Sequence, residues 1–83
     1  MLSDLSDLKN TQFLVGVKQS RRALKDGLVK TAYLAQNVED GVRIPLEELC
    51  KAQGIPVVSV PTMQELGSAC GISVGAAIAV VLR

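Results

Sequence analysis

The sequence predicts an α/β protein: a single-domain, three-layer α/β/α sandwich around a small mixed sheet of about four strands. Three observations carry that expectation. Short apolar runs alternate with helical patterns, as in a sheet covered by helices. The runs at residues 31–35, 55–60 and 76–82 are apolar without strict alternation, as in strands buried on both faces. Finally, 83 residues with 48% apolar content suffice for one small core, so the whole chain, 1–83, is read as one domain.

Taken in order, residues 2–9 place leucines three apart and suit a short helix, with Ser3 or Asp4 as its cap. Phe13, Leu14 and Val15 form a brief extended run that ends at Gly16. A second helix is expected from about Lys18 to Asp26, with Ala23 and Leu24 inward and Gly27 as its stop. After the strand at 31–35, Asp40-Gly41 reads as a turn and Pro45 as the first residue of a third helix, which Gly54 ends. The clearest strand is 55–60. Thr62 and Glu65 then have the spacing of a capping box for a fourth helix closed by Gly71. Residues 72–75 form a loop, and 76–82 the last strand.

Net charge is +1, but it is unevenly distributed. Residues 9–30 hold six cations and only Asp26 in opposition, whereas the remainder holds three cations and seven acids. A near-neutral chain with one basic face is drawn to a polyanion in one orientation. That basicity is concentrated at residues 16–25, where Lys18, Arg21, Arg22 and Lys25 follow Gly16 at a helix start. Free backbone N–H groups and the helix dipole favour anions at such an end. Lys18 and Gln19 add side chains able to read base edges. The segment is therefore expected to bind RNA.

Other chemistry is poorly provided for. The chain has no histidine, hence no imidazole base, no Ser-His-Asp triad and no His-ligated metal. No phosphate-cradling P-loop or dinucleotide fingerprint occurs, and Glu39-Asp40 and Glu47-Glu48 read as solvated acids. The expectation is a non-enzyme with no cofactor and no metal. Cys50 and Cys70 fall within apolar helical patterns and read as unpaired core thiols. The aromatics are Phe13 and Tyr33, too few for a base-stacking platform, so an RNA partner would be read as a folded shape. The longest apolar run, 75–82, is far short of the ~20 residues that span a bilayer, so a soluble, cytoplasmic protein without a membrane partner is expected.

The Gly16-Val-Lys-Gln-Ser-Arg-Arg-Ala-Leu segment, Leu66-Gly67 and the run from Cys70 to Ala77 together resemble the kink-turn RNA-binding family of ribosomal proteins, the L-seven-Ae type. The similarity is greatest to its small bacterial, YbxF-like members and spans nearly the whole chain. It implies an α/β/α sandwich whose helix start enters the major groove at tandem sheared G·A pairs. The family's commonest motif is Gly-x-Asn-Glu-x-x-Lys. Here Gly16 matches, Lys18 stands for Asn, Gln19 for Glu, and Arg22 for Lys. By the same resemblance, Ile72, Ser73 and Val74 would cover the flipped-out bases of the three-nucleotide bulge. The implied site is thus Gly16, Lys18, Gln19, Arg21, Arg22 and Lys25 with Ile72, Ser73 and Val74. The implied partner is a kink-turn of ribosomal or riboswitch RNA, the ribosome is a further candidate, and the protein is expected to be a monomer. The alternative left open is a protein-interaction or general polyanion-docking module without specific kink-turn readout.

Overall fold

The computed structural model describes residues 12–83, so the helix expected at 2–9 lies outside the described residues. Seven elements follow: β1 Phe13–Val15, α1 Val17–Lys25, β2 Val29–Ala35, α2 Asp40–Gln53, β3 Val57–Val60, α3 Met63–Ala69 and β4 Ile78–Leu82. The four strands form one sheet in the order β1-β4-β2-β3. Strand β4 runs antiparallel to β1 and β2, and β2 runs parallel to β3, so the sheet is mixed.

Period-two alternation along β2 and β4 divides the core into two layers. On one face, Val29, Ala32, Leu34, Ile78 and Val80 pack with Ala23 and Leu24 of α1 and Leu46 and Cys50 of α2. On the other, Tyr33, Ala35, Val60, Ala79 and Val81 pack with Leu66 of α3. Both faces of the central strands are apolar because helices cover both. The three-layer architecture is present.

Several boundaries differ from expectation. Helix α2 begins at Asp40, so Asp40-Gly41 is its first turn and Pro45 lies inside it. Proline there removes the N–H that would reach the Gly41 carbonyl. Arg43 compensates by joining Asp40 (2.6 Å) to Glu47 (3.0 Å), linking the turns on either side of Pro45. Both contacts raise its pKa, the hydrogen bond to Asp40 most. Gly54 ends the helix in the left-handed region (φ 69°), and the Ile55 N–H folds back on the Cys50 carbonyl at 2.9 Å. That bond takes Ile55 out of the strand, and Pro56 has no N–H, so β3 starts only at Val57. Because β3 is the sheet edge, its Val57 and Ser59 are exposed, unlike the expected doubly buried strand. Strand β2 starts earlier than expected, at Val29, and β4 later, at Ile78.

Helix α3 is capped as its Thr62 and Glu65 suggest: the Thr62 hydroxyl oxygen accepts from the Glu65 N–H at 3.1 Å. Asn37, in the loop after β2, adds a cap that the spacing of residues 62–65 could not reveal, its Oδ1 accepting from the Met63 N–H at 2.9 Å. Both cysteines are free. Cys50 is buried, while Cys70 at the end of α3 is half-buried rather than fully in the core.

Candidate nucleic-acid interface

The two sequence motifs, ~50 residues apart in the chain, lie at the same end of the sheet. Strand β1 finishes there and β4 begins there, because the two are antiparallel with Val15 opposite Ala79. Gly16 is the pivot. Its N–H donates to the Ile78 carbonyl at 3.1 Å, while its own carbonyl accepts the first bond of α1, from the Ser20 N–H at 3.0 Å. To leave the strand and enter the helix at once, Gly16 adopts φ 110°, a conformation that L side chains rarely adopt.

Helix α1 thus points its start out of the sheet end. It has no side-chain cap and no acidic residue in its first turn. The N–H groups of Val17, Lys18 and Gln19 precede the first intrahelical bond and are left for an outside acceptor. Lys18, Gln19, Arg21, Arg22 and Lys25 are all exposed and together line one shallow groove. Among the described residues no carboxylate pairs with any of these four cations, so their field is directed at solvent. The helix buries Ser20, Ala23 and Leu24 on its other side, which orients the basic face outward.

The second motif is fastened to α3 at both ends. The Ile72 N–H donates to the Gly67 carbonyl at 3.0 Å, and the Ala76 N–H to the Met63 carbonyl at 2.9 Å. Between these anchors the chain lies directly on the helix. A Cβ on Gly67 would collide with the Val74 carbonyl oxygen and approach the Gly75 Cα at 3.1 Å. A Cβ on Gly75 would press on the Met63 side chain at 3.0 Å. With its backbone held inward, the loop presents apolar side chains outward: Ile72 is 38% and Val74 68% exposed. Ser73 is exposed between them.

The nine residues expected at the site therefore lie in two clusters flanking the beginning of β4, eight of them exposed and Gly16 half-buried. Two supporting residues escaped sequence reasoning as site determinants: Gly67 and Asn37. The Leu66-Gly67 pair was a visible signal for the first, but its role depends on a loop crossing that the local sequence does not specify.

The fold and this surface define a small α/β/α domain that offers anion-seeking backbone and basic side chains beside an apolar loop. The chain belongs to the ribosomal protein L7Ae/L30e/S12e/Gadd45 family, whose model matches residues 3–83. An RNA-binding protein of Caldanaerobacter subterraneus subsp. tengcongensis is 42% identical over 66 residues, 80% of each chain. RNA-binding protein YbxF of Geobacillus stearothermophilus is 33% identical over 76 residues, 92% of this chain and 93% of its own. Among solved structures, a Bacillus halodurans protein of unknown function superposes with a TM-score of 0.83 at 28% identity, covering 95% of this chain and 83% of the other. The Giardia lamblia 15.5kD RNA binding protein superposes at 0.81 with 19% identity, covering 99% and 68%, a likeness of fold.

Among the described residues no cluster of three or more His, Cys, Asp or Glu side chains could hold a metal ion. No helix among them is long and apolar enough to cross a membrane.

Proposed function

We propose that this protein binds structured RNA and stabilises kink-turns. One observation carries the reading: an uncapped, unpaired basic helix start and an anchored apolar loop flank the same end of the sheet. The family membership and the RNA-binding names of the bacterial relatives support it. In this reading the start of α1 enters the groove at the sheared G·A pairs. Lys18 donates to guanine O6 and N7, and the Gln19 side-chain oxygen accepts from a guanine amino group. Arg21, Arg22 and Lys25 neutralise phosphates along the helix, and Gly16 allows the main chain to approach them. Ile72 and Val74 cover the unstacked bases of the bulge, with Ser73 and the loop backbone supplying hydrogen bonds.

No bond is made or broken, and no cofactor is needed. A protein that binds only the bent conformer shifts the RNA toward it by its differential affinity. The RNA is proposed to lie in or near the ribosome of a bacterial cytoplasm.

A gel-shift comparison tests this directly. A standard kink-turn should bind well, and its twin with Watson–Crick pairs replacing the sheared G·A pairs should lose that preference. Equal, salt-sensitive binding to both would instead identify a general polyanion-docking surface.

A further inference from the structure

We infer that the free edge of β3, with the groove between it and α2, pairs with the same surface of a second copy of this chain. This surface lies at the opposite edge of the sheet from β1, which leads into the proposed RNA site.

The backbone supplies the first argument. The Ala32 N–H donates to the Pro56 carbonyl at 3.0 Å and the Gln36 N–H to the Val60 carbonyl at 2.8 Å. Even-numbered residues of this stretch therefore direct their backbone groups toward β2. By the alternation of a strand, Val57 and Ser59 direct theirs outward. Among the described residues nothing pairs with them. Two-fold symmetry about Val58 would set Val57 against Ser59 of the other copy, each exchanging both hydrogen bonds, with Val58 facing Val58 on the axis. Two sheets would become one.

The side chains supply the second. The groove is lined by Ile44, Ile55, Val57 and Ser59 with Glu47, Glu48 and Lys51. Ile44 and Val57 are 41% and 37% exposed, an apolar floor that a copy of itself would cover. The rim carries both signs of charge. Glu47 already has Arg43 as its partner, whereas Glu48 and Lys51 have no ion pair among the described residues. A uniformly basic or acidic partner would be opposed by one of those two groups. A second copy carries both signs on the same rim, so that Glu48 and Lys51 of one can be matched by Lys51 and Glu48 of the other. That favours a second copy over a foreign peptide. Pro56 and the four-residue length of β3 limit the ladder, so the association is weak and reversible. The proposal departs from the monomer expected from the sequence.

Sedimentation equilibrium from micromolar to millimolar concentration tests it. The apparent mass should climb toward twice that of the chain, and dilution should reverse the rise. Ser59→Pro removes an outward N–H while sparing the ladder to β2, and Val57→Lys places a charge on the groove floor. Each should hold the mass at the monomer value across the range, with kink-turn gel shifts equal to wild type. Lys51→Glu should weaken association, and Glu48→Lys combined with Lys51→Glu should restore it. A wild-type mass that stays monomeric at millimolar concentration overturns the inference. So does a dimer unaffected by both Ser59→Pro and Val57→Lys. Because RNA binding is read separately, failure here leaves the proposed function standing, and the reverse holds too.

Discussion

Replacing Gly67 with alanine sets two well-defined effects against each other. Gly67 lies inside α3, where alanine is worth about 1 kcal/mol more than glycine as a helix former. The added methyl, however, lands on the Val74 carbonyl and close to the Gly75 Cα. Both obstacles are main chain, and the Ile72–Gly67 and Ala76–Met63 hydrogen bonds tie that main chain to the same helix on either side. It cannot swing aside as a flexible side chain would. Overpacking in such surroundings costs about 1–3 kcal/mol, and breaking one anchoring hydrogen bond adds about 1 kcal/mol. The clash outweighs propensity, leaving a net loss of about 1–3 kcal/mol. For a domain of this size that lowers Tm by roughly 4–24 °C. Kink-turn affinity should also fall about tenfold or more, since the displaced loop carries Ile72 and Val74, while the salt dependence contributed by α1 stays as it is. Gly41→Ala is the internal control: also helical, but with open space around the new methyl, it should gain about 0.5–1 kcal/mol. Differential scanning fluorimetry and gel shifts on both variants decide the matter. If Gly67→Ala matches Gly41→Ala in stability and binds RNA like wild type, the loop is not seated on α3 as described.

Three further predictions follow from other parts of the molecule. Lys18→Ala and Gln19→Ala should each weaken kink-turn binding by about 1–3 kcal/mol with Tm unchanged, since both side chains are exposed; titration calorimetry reads the affinity. Ser20 is fully buried and its hydroxyl has no hydrogen-bond partner among the described residues, so Ser20→Ala should stabilise the fold by about 1 kcal/mol in urea unfolding, and a destabilised variant would reveal a bond to that hydroxyl. Burial raises the pKa of both thiols, aided at Cys50 by the charge of Glu47. Folding therefore favours the protonated thiols. Their contribution to stability is complete below the ordinary thiol pKa and declines as pH rises through it toward the folded values. Urea midpoints should accordingly fall on the alkaline side for wild type, and Cys50→Ala with Cys70→Ala should flatten that decline.

What could be read in the chain was whatever local physics enforces. The alternation of apolar runs with glycine- and proline-bounded helical patterns was enough to predict the layers, and Thr62 with Glu65 marked a helix start because the cap is made within four residues. The basic character of residues 16–25 needed no fold to be seen. Other local signals were ambiguous. Asp40-Gly41 and Pro45 read as a turn and a helix start, yet the bridge from Arg43 to Asp40 and Glu47, together with packing of Leu46 and Cys50 on the sheet, carries the helix through them. Tertiary burial outweighed a weak breaker signal.

The amino-acid sequence by itself determined the element types, the central core strands and the concentration of cations on one short helix, because these depend on composition and period. Only the tertiary structure decided that β4 inserts between β1 and β2, and that decision brings the start of α1 and the 72–75 loop to the same end of the sheet. It also made β3 an edge, leaving Val57 and Ser59 exposed although their sequence suggested a buried strand. Strand order arises from long-range pairing and from which faces the helices can cover. No window of neighbouring residues contains that information, so Gly67, whose importance comes from a chain segment crossing it, became legible only in three dimensions.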